Sequence, residues 1–216
     1  MRQRTLAFTA LLGLCLAACG GTNTSPSAAS ASAPASVAPG TPVPSGPAPS
    51  ASRAAISSAE PSGVPHGAPQ LEESLPRAFR GQPLFLLSFG ATELAASQAK
   101  DSFDAIIVKA GGDVTKAGFA VANDSATTQG GTFNAFAVSG AGGDGTKLVA
   151  AYVASAITAG ESESSSTTTL GGKAVTRIKS SDTTVGDSWV YAIDDVMYGV
   201  QAKDEALAAE LIGQLP

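Results

Sequence analysis

The chain has 216 residues, room for one ordinary domain and a substantial remainder. It is 44% hydrophobic, but 41 of those positions are alanine, which adds little to a core, and 24 Gly with 13 Pro do not describe one uniform globule. A net charge of −5 with no basic run argues against a nucleic-acid binder, and two Cys with one His leave little metal or thiol chemistry. The residues must therefore be unevenly distributed.

In chain order, Arg2 and Arg4 precede an apolar run from Leu6 to Ala18, interrupted by Gly13. That run falls short of the ~18 to 20 residues needed to span a bilayer as a helix, so it reads as a signal peptide. It ends on Leu16-Ala17-Ala18-Cys19. These residues resemble the lipobox of bacterial lipoproteins, in which the cysteine becomes the new N-terminus after cleavage. The resemblance implies that residues 1–19 are a lipoprotein signal, that Cys19 carries a diacylglycerol thioether and an acyl chain such as palmitate, and that the remainder is exported and anchored by lipid. Two or three chains at ~0.8 kcal/mol per buried CH₂ hold a protein on a membrane essentially permanently. Cys15 would be discarded with the signal, so no thiol would remain for a disulfide, a nucleophile or a metal.

Residues 20–70 hold 10 of the 13 prolines, much Ser and Ala, and only four larger aliphatics, Val37, Val43, Ile56 and Val64. This composition predicts a disordered Pro/Ala/Ser-rich tether with local polyproline II. His66, the only histidine, falls in this segment, so the folded part is expected to have no histidine triad and no histidine metal site.

Residues 71–216 carry 17 acidic against 10 basic side chains, all three Tyr, the one Trp and seven of the eight Phe, and are expected to be a single domain. Leu84 to Phe89 reads as a buried strand and residues 93–110 as a helix with one apolar face, stopped by Gly111 and Gly112. Lys116 to Asn123 and Thr132 to Ser139 read as strands, and Thr146 to Ala159 as a second helix. Gly171 and Gly172 sit between Ser164–Leu170 and Lys173–Lys179, the signature of a type I′ hairpin. A second hairpin pairs Ser188–Ile193 with Val196–Gln201 around Asp194 and Asp195, placing Ile193, Tyr191 and Trp189 opposite Val196, Tyr198 and Val200. Lys203 to Leu215 closes the chain as a helix. Helices between hairpin-linked strands predict an α+β fold, an antiparallel sheet with about three helices packed on one face.

Gly140-Ala141-Gly142-Gly143-Asp144-Gly145 is a formal G-x-G-x-x-G, but Asp144 places negative charge where a pyrophosphate would sit. Thr146-Lys147 reverses the order that a P-loop requires. No bound cofactor, metal or catalytic set is expected. With no histidine or thiol in the expected domain, the enzyme options are a Ser-Lys dyad or carboxylate pairs; Asp101 and Asp104, and the carboxylates of 182–195, define the alternative reading, a carboxylate-dependent extracytoplasmic hydrolase. The Trp189, Tyr191 and Tyr198 face is expected to be core under a helix; exposed, it would be a stacking platform for a carbohydrate or an apolar ligand. The leading expectation is a lipid-anchored extracytoplasmic protein. Its domain would bind a protein or carbohydrate, or act structurally, without catalysis and without nucleic acid.

Overall fold

In a computed structural model, residues 64–124 and 132–216 are described and belong to one compact unit. The segment expected to be a signal peptide, Cys19, and the expected tether up to residue 63 lie outside the described residues. The domain itself begins earlier than residue 71, because residues 64–70 already pack against it.

The elements run in the predicted order, preceded by small pieces that local pattern does not announce. Helix α1 is Pro69–Glu72, strands β1 and β2 are Ala78–Phe79 and Gln82–Pro83, and β3 is Phe85–Phe89. The helix expected over 93–110 is broken into α2, Ala91–Ala95, and α3, Lys100–Lys109. The break follows from Ser97, whose hydroxyl donates to the Leu94 carbonyl at 2.7 Å and so competes with continuation of the helix. Then come β4, Gly118–Asn123; β5, Phe133–Ser139; α4, Gly145–Thr158; β6, Ser162–Leu170; β7, Lys173–Ser180; β8, Asp187–Ile193; β9, Val196–Ala202; and α5, Glu205–Gln214. Asp144 caps α4 by accepting from the Lys147 amide at 3.1 Å, and Asp204 caps α5 through the Ala206 amide at 2.8 Å.

Seven strands form one antiparallel sheet in the order β3-β4-β5-β9-β8-β7-β6. Both hairpins have the register expected from sequence, with Tyr191 opposite Tyr198 and Trp189 opposite Val200. Gly171 and Gly172 take φ of 58° and 82°, the pair of positive values that a type I′ turn needs.

The α+β class and the antiparallel sheet are as the sequence implies. The helices differ from expectation: they divide between both faces. Alternation along each strand sends Leu87, Val121, Phe136, Val138, Val190 and Met197 to one face, where α3 and α4 supply Phe103, Ile107, Leu148 and Tyr152. The neighbouring positions, among them Ala120, Ala135, Trp189, Tyr191, Tyr198 and Val200, face α1 and α5 with Leu71, Leu211 and Ile212. Both sides of the central strands are apolar, so one layer of helices could not have covered them. Among the described residues, no helix is long and apolar enough to cross a membrane.

Candidate functional site

One row of cross-strand neighbours explains where the surface opens. On the α3/α4 face it runs Leu87, Val121, Phe136, Gly199, Val190, Thr176, Thr167 from β3 to β6. The row changes from apolar to hydroxyl at β7. α4 covers β8 and β9, and beyond it lies a groove of about 380 Å³. Its walls and floor come from Thr146 and Val149 of α4, Thr167 of β6, Thr176 of β7, and Val190 and Ala192 of β8. Methyl groups and three threonine hydroxyls make it amphipathic and neutral. Lys173 also borders it through its backbone strand, but its amine bonds the Ile212 and Leu215 carbonyls, each at 2.9 Å, on the α5 side. No carboxylate, imidazole or thiol is among the residues that line the groove; Tyr191 borders it beside Ala192, with its hydroxyl donating to the Pro216 carbonyl.

The aromatic hairpin face is turned to the other side of the sheet and is closed, with Tyr191 alone also bordering the groove. Trp189 is 1% exposed, and Tyr191 and Tyr198 are 8% exposed beneath α5, so the ligand-platform alternative for these three residues is corrected. Tyr191 and Tyr198 stack with centroids 5.7 Å apart, and the Tyr191 hydroxyl donates to the Pro216 carbonyl at 2.8 Å. Desolvation pushes the Tyr191 hydroxyl above its usual pKa range, as it does for Tyr152. The Arg177 guanidinium lies 5.5 Å from the Trp189 ring centroid, held there by Asp187 at 2.6 Å and Glu205 at 3.0 Å. Trp189 fluorescence should therefore be blue-shifted from free tryptophan and resist acrylamide. An emission maximum like that of the free amino acid would contradict this packing.

The glycine loop has no amide to offer a phosphate. Gly140 donates to the Asp195 carbonyl at 2.7 Å, Gly142 to the Asp195 carboxylate at 2.7 Å, Gly145 to the Asp194 carbonyl at 3.1 Å and Asp144 to Ala110 at 2.9 Å. These bonds weld the loop to the β8–β9 turn and to the end of α3.

The candidate carboxylates have separate occupations. Asp104 pairs with Lys100 one helical turn away, while Asp101 is exposed. Asp182 accepts from the Thr184 amide and hydroxyl at 2.8 and 2.6 Å, which holds its carboxyl below the usual range. Asp187 binds Arg177, and Asp195 binds the glycine loop. Among the described residues, no three His, Cys, Asp or Glu side chains converge as a metal site would require.

His66 overturns one expectation. Far from being unoriented in a tether, its Nδ1 lies 2.8 Å from the Glu72 carboxylate, and its backbone pairs in parallel with Ser88 on the outer edge of β3. The Ser88 amide donates to Pro65 at 2.9 Å, Gly67 donates to the Ser88 carbonyl at 3.0 Å, and the Ala68 amide donates to the Ser88 hydroxyl at 2.9 Å. Histidine, carboxylate and serine therefore meet here, where composition placed only spacer. Ser88 is 0% exposed and its Oγ already accepts a hydrogen bond, so the cluster fastens a strap rather than presenting a nucleophile. The one sequence signal was a lone hydroxyl inside the apolar run Leu84 to Phe89. Ser88→Ala removes the acceptor of a buried amide and should cost about 1 to 3 kcal/mol. Faster hydrogen exchange at Ala68 and Gly67, with β8 and β9 protected, is the expected signature.

The fold and groove together define an antiparallel α+β domain with helices on both faces, a neutral open groove on one of them, and one strapped sheet edge. Compared with family models, with curated proteins and with solved structures, the chain matches none.

Proposed function

We propose that this chain is a lipid-anchored extracytoplasmic protein whose folded domain acts by binding or structural interaction and not by catalysis. The observation that carries the location is Leu16-Ala17-Ala18-Cys19 behind a short basic and apolar segment. The acyl groups on Cys19 attach the protein to the membrane, and the chain between Gly20 and residue 63 separates that attachment from the domain.

The neutral groove supports the binding half of the reading. Threonine hydroxyls over an apolar floor suit a neutral partner with hydroxyls of its own, a carbohydrate or an uncharged protein segment. The structural employment of Asp104, Asp182, Asp187 and Asp195 speaks in the same direction, since each is committed to a local bond.

The deciding experiment is Cys19→Ala in the full chain, with metabolic labelling by a palmitate analogue. The parent should take up label and stay with membranes through a high-salt wash; the variant should take up none and be released. Equal membrane retention of both would overturn lipid anchoring.

A further inference from the structure

The seven-stranded sheet has two outer edges, and they are treated differently. The edge at β3 is closed by the strap, through the Ser88 bonds to Pro65 and Gly67. Among the described residues, the edge at β6 is open. Residues 163–169 are all exposed, and among the described residues their main chain bonds to nothing beyond β7. Natural sheets normally blunt such an edge with proline, inward charge or a very short strand. Here the strand is nine residues long, and Ser164-Ser165-Ser166-Thr167-Thr168-Thr169-Leu170 contains neither charge nor proline. The only protective features, a bulge between Ser162 and Ser164 and the charge of Glu163, sit at one end.

We infer that the β6 edge is a self-association surface at which two copies of this chain join their β6 strands antiparallel about a two-fold axis, extending the sheet from one molecule into the other. An open antiparallel edge is complementary to itself, because each outward N–H of one copy meets an outward C=O of its rotated twin. The residue on the axis faces its own copy. With Ser166 there, Ser165 opposes Thr167, Ser164 opposes Thr168, and Glu163 opposes Thr169; with Thr167 there, Glu163 moves to Gly171. Neither register puts like charges together, and Ser/Thr pairs across strands are favourable. The strap bears on stoichiometry. With the β3 edge bonded to the strap at Ser88, β6 is the edge left open among the described residues, and pairing through it ends at two, where two open edges would have given a fibre. The groove lies beside this edge, with Thr167 in its lining, so a paired copy would continue its floor.

The test is disulfide trapping in the full-length chain. Ser166→Cys and Thr167→Cys are made singly, with Lys116→Cys, exposed on a loop remote from β6, as the collision control. Directly opposed residues on antiparallel strands lie ~4.5 to 5.5 Å apart at Cα, within disulfide reach, whereas diagonal neighbours lie at ~7 to 8 Å. One of the two β6 variants should therefore oxidise to a species of twice the chain's mass, while the other β6 variant and the control do not. Adding Ser164→Lys and Thr168→Lys to the reactive variant should abolish that product without shifting its melting temperature. Failure of both β6 variants to cross-link, equal cross-linking of all three, or persistence of the product with the lysines in place would each overturn the inference.

Discussion

Phe136→Ala is expected to cost the domain about 4 kcal/mol, lowering its melting temperature by roughly 12 °C, because large-to-small changes at fully buried aromatics leave cavities that packed neighbours cannot fill. Phe136 is 1% exposed in the third strand from the strapped edge, with Tyr152 of α4 tilted against it at 6.1 Å between centroids. Its ring extends over Gly199, directly opposite on β9, where an added Cβ would come within 2.8 Å of the ring edge. A glycine inside a central strand weakens it, so the aromatic ring supplies the cover that the glycine lacks. The two positions should be strongly coupled. Gly199→Ala alone should destabilise by about 2 kcal/mol through overpacking, and less in the Phe136→Ala background, where the ring's clash is gone and only the 2.8 Å approach to Val190 Cγ1 remains. Thermal or urea denaturation of the four proteins in the cycle measures this; additive effects would show that ring and glycine do not share the space described.

Gly112→Ala should be comparably damaging for a different reason. A Cβ at Gly112 would overlap the carbonyl oxygen of Gly140 and approach Ile107 Cγ2 to 2.9 Å. The obstacle is main chain, and Gly140 is fixed by its bonds to Asp195 and Gly143. Relief requires the end of α3 to part from the glycine loop, at a cost of about 3 kcal/mol or more. Gly111 is the matched control: its φ is +81°, but a Cβ there meets nothing within 4 Å. Gly111→Ala should show only the backbone penalty of about 1 to 2 kcal/mol. If the two variants melt alike, the close approach of α3 to the loop is not the constraint.

That contrast shows why the elements were legible and their arrangement was not. Periodicity located the long elements and the hairpin registers because those signals are local: two glycines with positive φ at 171–172, or Trp189, Tyr191 and Ile193 alternating along a strand. Which face a helix covers is decided by both sides of the sheet at once. The predicted single layer overlooked the row opposite Phe136 and Met197, in which Ala120, Ala135 and Val200 also need cover. The glycine pattern at 140–145 reads locally as a loop with an acidic residue. Its actual role, receiving Gly112 and the β8–β9 turn, depends on contacts distant in sequence. His66 was misplaced for the same reason, since the strap has almost no apolar mass of its own and is held by groups on β3. The groove was invisible because its hydroxyls, on α4, β6 and β7, adjoin only after the sheet forms.

The strap also fixes how the domain answers to tension. A pull arriving along the chain from its N-terminal side enters the described residues at Val64. There it meets the pair of backbone bonds at Ser88, the hydroxyl that accepts from Ala68, and the His66–Glu72 contact. The strap pairs in parallel with β3 at Ser88, so the load on it passes directly to that strand. Force is thus delivered to one margin of the sheet, six strands away from β6. The domain is fastened by one side and left free on the other.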